Sequence, residues 1–363
     1  MRGTFPRRSF PGAHDHGVKV HVTVNTMPRN EEAMRLPAYL EQLDNAGVDA
    51  LILADLGAFT MAGKYAPHCQ RHVSTQLSVA NYVCAQSWFD LGASRVVLAR
   101  EVSLEEIRTI REKTDPRLEL ETFGHGAMCV SYSGRCVLSN YMTGRDSNRG
   151  ACAQPCRYRY ALREEKRPGE YFPIFEDEKG SYILNSRDMC MIDHLKELMD
   201  AGVDCIKLEG RAKSAYYAAI VTGAYRHCLN DAFAGREPDA VWRDEVEHVS
   251  HRVYSTGFYF GYPGQYTADS RYIRQWQIAA MVEDCDENGL ARCSLRNKFH
   301  AGDALEAVGP DLRPFGFTAD TMTDAEGAKL DEPRTPRSVF YLQLPVQVPP
   351  CTILRRSVEL SAK

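Results

Sequence analysis

A chain of 363 residues is long enough for a sizeable core and about two domains. With 44% apolar and 25% charged residues it reads as globular, and a net charge of −4 argues against broad, unspecific binding of polyanions. No apolar run approaches the roughly 20 residues of a membrane span, and the arginines near the N-terminus have no apolar stretch behind them, so the expected location is cytoplasmic. In that reducing compartment twelve cysteines are not a disulfide framework and need another explanation.

Residues 1–16 are rich in Arg, Pro and Gly and read as an irregular segment. From residue 17 to about 235 short β-branched runs alternate with amphipathic helical patterns. Strands are predicted at 18–24, 50–54, 72–77, 95–99, 118–122, 182–185 and 205–208, with helices at 31–45, 104–113, 191–201 and 215–229 among them. The second of these helices opens on Ser103-Leu-Glu-Glu106, a capping-box pattern. An internal echo supports a repeated unit. Ala46-Gly-Val-Asp, Leu91-Gly-Ala-Ser and Ala201-Gly-Val-Asp each end a helix on glycine and lead into an apolar strand. The expected fold class is therefore α/β, a TIM-like (β/α) barrel with seven visible units where a closed barrel takes eight. A Cys-rich insertion at 124–180 breaks the rhythm. Beyond it, 245–357 reads as a small β-barrel-like domain, with strands at 257–260, 277–282, 291–295 and 338–344 and a turn at 297–303 leading into another.

The strongest chemical signal is Cys129-x6-Cys136 followed by Cys152-x3-Cys156, with Cys190 at the next strand-to-helix turn. Thiolates favour zinc or iron–sulfur centres, and the absence of paired C-x2-C spacing shifts the balance toward iron–sulfur. Reduced, buried cysteines without a ligand are the bland alternative. The remaining seven cysteines are scattered along strands and helices and read as core.

Barrel enzymes place their working groups at strand C-termini. Asn25, Asp55, Gln76, Arg100, Glu121, His125, Asn185, Arg187, Lys207, Glu209 and Arg211 all fall at or just beyond predicted strand ends. Lys207, Glu209 and Arg211 alternate, which would put them on one face to hold an anionic substrate or to pair among themselves. The insertion interleaves Arg135, Arg145, Arg149, Arg157, Arg159 and Arg163 with Tyr132, Tyr141, Tyr158 and Tyr160. That mixture suits single-stranded RNA, but on these residues alone an ordinary solvated surface, with the tyrosines packing a large loop, is the favoured reading.

Glu121-Thr-Phe-Gly-His-Gly-Ala-Met-Cys-Val-Ser-Tyr-Ser-Gly-Arg-Cys136 resembles the signature of the collagenase-like peptidases of unknown catalytic type, peptidase family U-thirty-two. Asn148-Arg-Gly-Ala-Cys-Ala-Gln-Pro-Cys-Arg157, Ser186-Arg-Asp-Met-Cys190, Lys207-Leu-Glu-Gly-Arg-Ala-Lys-Ser214 and Ser250-His-Arg-Val-Tyr-Ser-Thr-Gly-Phe-Tyr-Phe260 match further blocks in order. The resemblance is closest to the prephenate-dependent tRNA uridine hydroxylases. It implies tRNA as partner, prephenate as co-substrate and 5-hydroxylation of the wobble uridine. It also implies a [4Fe-4S] cluster on Cys129, Cys136 and Cys152, with Cys156 as fourth ligand and Cys190 as the alternative. Glu121, His125, Lys207, Glu209 and Arg211 are the expected substrate-handling residues. Family members begin with a further strand–helix unit, so residues 1–16 read as a truncation, leaving a barrel edge for a partner protein to cover. A collagenase-like peptidase and a non-catalytic iron–sulfur RNA-binding or assembly factor are the competing readings. Against the peptidase, no H-E-x-x-H, G-x-S-x-G or papain-type block is present.

Overall fold

The computed structural model describes residues 9–129, 131–132, 135–157, 161–162, 172–173, 187–263, 272–309 and 311–358. The strand predicted at 182–185, together with Asn185, Tyr158, Arg159, Tyr160 and Arg163, lies outside them. The chain divides into two units, Met1–Glu209 with Val253–Ser270, and Gly210–Arg252 with Arg271–Lys363.

In the first unit the elements follow in order: α1 (Ser9–Asp15), β1 (His21–Val24), α2 (Asn30–Asn45), β2 (Ala50–Leu53), α3 (Leu56–Tyr65), β3 (Gln70–Val73), α4 (Tyr82–Asp90), β4 (Arg95–Val97), α5 (Leu104–Lys113) and β5 (Glu119–Ala127). The insertion contributes α6 (Leu138–Thr143), β6 (Ala161–Leu162) and β7 (Phe172–Pro173). After it come β8 (Asp188–Cys190), α7 (Leu195–Asp200), β9 (Cys205–Leu208) and, from the second segment, β10 (Tyr254–Ser255).

Strands β1 to β5 pair in chain order, all parallel, and β9 lies parallel on the other side of β5. Each strand is added at the same edge as the last, which is the winding of a (β/α) barrel and not of a doubly wound sheet. Among the described residues six parallel strands carry this sheet, and the seventh predicted strand, 182–185, lies outside them. Among the described residues β1 and β9 are not paired, so the expected closed barrel is not seen. Strand β8 runs antiparallel to the last residues of β5, and β10 pairs parallel with β8.

Strand parity decides which face is apolar. Val24, Leu51, Leu53, Val73, Val96 and Leu120 share one parity. They are buried in one cluster with Leu36, Leu40 and Leu43 of α2, Phe59 of α3, and Ile107 and Ile110 of α5. The capping box of α5 forms as expected, with the Ser103 N–H donating to the Glu106 carboxylate at 2.7 Å.

Several expectations are corrected. The segment 1–16 is not wholly irregular, because Ser9–Asp15 is helical; a proline is tolerated in a first turn, where N–H groups lack intrahelical partners anyway. The predicted strand 72–77 stops at Val73 and turns into a 3-10 helix, Thr75–Leu77, as the Ser74 side chain accepts from Gln76 N–H. Residues 191–201 start as a 3-10 turn, Ile192–His194, before α7. Residues 257–260 form a turn, not a strand. Gly257 sits at φ 57°, where a Cβ would stand 2.6 Å from Met189 Cε. That turn buries Tyr259, whose hydroxyl donates to the Phe123 carbonyl at 2.5 Å and contacts Thr122 Oγ1. No helix among the described residues is long and apolar enough to cross a membrane.

The second unit contains α8 (Ala215–Phe233), α9 (Ala240–Asp244) and strands β11 (Trp276–Cys285), β12 (Leu290–Leu295), β13 (Ala304–Gly309), β14 (Leu312–Thr318), β15 (Met322–Thr323), β16 (Val339–Gln343) and β17 (Ile353–Ser357). The strands form one antiparallel sheet in the order β14-β13-β17-β11-β12-β16-β15. Helix α8, expected as the last barrel helix, groups by its packing with this unit instead. The reason is a buried hub. Arg355 of β17 is fully buried and makes two 2.6 Å bonds to the Glu245 carboxylate. Its Nε donates to Glu306 of β13 at 2.8 Å, and Nη1 reaches the Tyr216 hydroxyl of α8 at 3.4 Å. Breaking a buried ion pair by removing one partner costs about 3–5 kcal/mol. Arg355→Met should lower the stability of the full chain by that amount in chemical denaturation. A loss below about 1 kcal/mol would remove Arg355 from this role.

Candidate functional site

The second parity of the parallel sheet is polar. Register places His21, Ala50 and Gln70 in one row, Ile52, His72, Arg95 and Glu119 in the next, and then Val97, Glu121 and Cys205, with Phe123 beside Lys207. Glu121 is 3% exposed and accepts from Arg95 Nη1 at 2.9 Å and from Lys207 Nζ at 2.7 Å. Burial alone would raise its pKa, but Lys207 and Arg95 outweigh it and hold the carboxyl below its usual range. Arg95 also pairs with Glu119 at 2.7 Å and approaches Cys205 Sγ at 3.4 Å. Burial and the Glu121 charge push the Cys205 thiol up to about 11, so it is no nucleophile at neutral pH.

His21 and His72 stand edge to face, with ring centroids 4.9 Å apart. Burial, then the Arg95 and His21 charges, push His72 down to about 3, so its imidazole is neutral under ordinary conditions. His21, His72 and Arg95 were not singled out from the sequence. Their signal was there in the alternation: each occupies the parity opposite to the apolar residues of its own strand.

Strand β5 leads from this charged face to the cysteines. A bulge between Phe123 and His125 puts His125 opposite Leu208 instead of on the Lys207 side. His125 is buried, faces Cys190 across the antiparallel β5–β8 pair, and lies 3.5 Å by Nε2 from the Tyr254 hydroxyl. At Gly126, φ 124°, an added Cβ would meet the Glu209 carbonyl oxygen at 2.6 Å, so the close approach of β5 and the end of β9 needs glycine. The Glu209 N–H donates to the His125 carbonyl at 2.9 Å.

Arg100, just past β4, donates to the Ala127 carbonyl at 2.9 Å and stacks 4.2 Å from the Phe123 ring. Burial lowers its pKa, while nearby Cys129 and Glu209 act in the opposite direction. None of Cys129, Cys136, Cys152, Cys156 and Cys190 is in a disulfide. Cys136 is lowered despite desolvation, because the Leu138 N–H and the hydroxyls of Ser131 and Ser147 favour its thiolate. Cys152 Sγ accepts from the Gln154 N–H at 3.3 Å. The segment is fastened beyond β1 by Arg149, which donates to the Met27 carbonyl at 3.0 Å and pairs with Glu32. It is closed on itself by Ser139, whose buried hydroxyl accepts from the Ala153 N–H at 2.9 Å. The cysteine segment therefore spans the C-terminal ends of β1 and β4.

Of the predicted set, Glu121 and Lys207 are brought together, and Glu209 lies near enough to Arg100 to act on its charge. His125 is turned aside by the bulge. Strand β9 ends at Leu208, so Lys207, Glu209 and Arg211 do not share a strand face. Arg211 falls in the second unit. Asp55 is an N-cap, accepting from the Ala58 N–H at 2.8 Å.

The buried, neutral His72 carries a pH dependence with a definite sign. In the unfolded chain it binds a proton near pH 6.5, whereas in the fold it resists one down to about 3. Its contribution to stability is therefore complete above pH 6.5 and lost as pH falls through that window, at about 1.4 kcal/mol per unit. Denaturation of wild type and His72→Phe at pH 7.5 and pH 5.5 should show the wild type losing its advantage at the lower pH. An unchanged difference would mean that His72 is protonated in the fold.

A family model described as "Peptidase family U32" matches residues 7–269, and one described as "Peptidase family U32 C-terminal domain" matches residues 274–355. A Bacillus subtilis (strain 168) relative named tRNA hydroxylation protein P1 is 35% identical over 95% of this chain and 82% of its own length. The Escherichia coli (strain K12) tRNA hydroxylation protein P is 34% identical over 92% of this chain and 82% of its own. The Escherichia coli 23S rRNA 5-hydroxycytidine C2501 synthase is 38% identical over 61% of this chain and 32% of its own. With one match covering most of the chain and the other covering the antiparallel sheet, the chain belongs to peptidase family U32 and carries that family's C-terminal domain.

Proposed function

We propose that the protein is an iron–sulfur-dependent tRNA hydroxylase that converts the wobble uridine to 5-hydroxyuridine, with prephenate as oxygen donor. The observation that carries this reading is the alignment, over nearly the whole chain, with two relatives named for tRNA hydroxylation. The thiol segment across the strand ends supports it.

The donor set, thiols alone, suits an iron–sulfur group by its chemistry. Zinc at about 2.3 Å from each sulfur needs sulfurs about 3.8 Å apart. Among the described residues the side chains that converge within 4.8 Å are Glu245, His248 and Glu306, where Arg355 already supplies the positive charge. Cys129, Cys136, Cys152 and Cys156 would hold the group, with hydrogen bonds to Cys136 favouring its thiolate and the Gln154 N–H directed at the Cys152 sulfur. Cys156 is preferred to Cys190 because it belongs to the same segment.

The chemistry is an exchange of C5–H for C5–OH. Loss of water and carbon dioxide from prephenate is redox-neutral, so moving its oxygen into a C–H bond leaves two electrons and two protons, which an external redox partner must take up one electron at a time. A bound iron–sulfur cluster supplies one-electron transfer. Lys207, with its side chain 30% exposed, offers a cation to a carboxylate of the donor, and Glu121 fixes its direction. His125, beside the Tyr254 hydroxyl, can hold a proton. Arg100 and Glu209 orient the groups at the strand ends.

Anaerobic purification should yield a protein with about four irons and matching sulfide. Cys129→Ser, Cys136→Ser, Cys152→Ser and Cys156→Ser should each lose most of the iron, while Cys190→Ser keeps it. Nucleoside mass spectrometry on a deletion strain should show 5-hydroxyuridine restored by wild type and not by Cys129→Ser. Alanine at Glu121, His125, Lys207, Glu209 or Arg211 should each reduce it. Modification that persists in a strain unable to make prephenate would rule out that donor. The family's peptidase name has one observation on its side, Cys190 opposite His125. Cleavage of a peptide library, abolished by Cys190→Ser with iron retained, would favour it.

A further inference from the structure

The geometry points to the outer face of α6 as the surface on which an unpaired RNA loop docks, with Tyr141 and Tyr132 stacking on bases and Arg135 and Arg145 meeting phosphates. This rests on the reading that RNA is the substrate and names the surface that receives it.

Helix α6 has two unlike sides. Ser139 faces inward, fully buried, and ties the helix to the loop carrying Ala153. Val137 and Tyr141, four residues apart and joined by the Tyr141 N–H to Val137 carbonyl bond of 2.9 Å, share the outward side. Their exposures are 70% and 90%, and Tyr132 is 53% exposed. Exposed side chains on one helix side, as Val137 and Tyr141 are, mark a contact surface more than scattered single residues do. Tyrosine is also the residue type that stacks on any base whatever its sequence.

Charge selects the occupant. From residue 129 to 157 the chain has four arginines and one aspartate, with no lysine or glutamate. The aspartate, Asp146, is turned to accept from the Asn148 N–H at 2.9 Å. Arg135 and Arg145 are exposed on either side of α6. A whole chain of net charge −4 thus concentrates cations beside its exposed tyrosines, which favours a polyanion with accessible rings over a protein or lipid surface. Cys136 immediately precedes Val137, so a base stacked on Tyr141 would lie next to the thiol segment.

The test is fluorescence anisotropy at fixed salt on the full chain. The probes are an unmodified anticodon stem-loop with a wobble uridine and a fully paired hairpin of equal length. Wild type should prefer the stem-loop. Tyr141→Ala should weaken that binding about ten-fold or more, Tyr141→Phe should keep it, and Arg145→Glu should weaken it and flatten its salt dependence. Unchanged iron content in the variants shows that the segment is intact. If wild type binds the stem-loop and Tyr141→Ala and Arg145→Glu bind equally well, the surface is wrong and the RNA reading stands. If wild type binds neither RNA, the functional reading fails and takes this surface with it. A concentration-dependent dimer abolished by Tyr141→Ala would make the patch a self-interface and overturn the inference.

Discussion

Glu121 is one carboxylate serving three strands. It lies on β5, takes a guanidinium from β4 on one side and an ammonium from β9 on the other, and is almost wholly out of water. A charge in that position is tolerable only because both partners are in place, and removing either leaves a buried ion uncompensated. The parallel sheet thus has two kinds of glue. One face is held by ordinary apolar packing against helices; the other is held by an ion network that fixes the relative positions of β4, β5 and β9.

The same strand then changes its business within four residues. Up to Phe123 it faces the ion network; after the bulge His125 and Gly126 engage β8 and the end of β9, and Cys129 follows directly. Nine residues of strand join a rigid charged floor to a thiol segment, so both are referenced to one backbone. The bulge keeps the two chemistries on different sides of the sheet, which a regular strand could not do.

Much of this was legible in the sequence. The helix–glycine–strand echo gave the right unit, the capping box of α5 formed as written, and the cysteine spacing isolated the segment that folds across the strand ends. What was hidden has physical reasons. His21, His72 and Arg95 look like interruptions in apolar strands until register shows them in phase with one another. His125 looks adjacent to Glu121 by count, and only the bulge separates them. Helix α8 has the pattern of a barrel helix, but a buried arginine some 140 residues later decides where it packs. Residues 257–260 are as aromatic as a strand, yet Gly257 turns them so that Tyr259 becomes a plug.

The clamp between Arg149 and Glu32 is half-exposed to solvent, with side-chain exposures of 30% and 33%. Glu32 is held at about 2 by Arg149, so it stays ionised over the working pH range and acid does not open the clamp. Dissolved ions do, since they screen charges at a surface but hardly reach buried ones. Preparations washed at high ionic strength would therefore present the thiol segment less firmly seated and its sulfurs more open to air. Ionic strength during handling becomes a determinant of how firmly that segment is held.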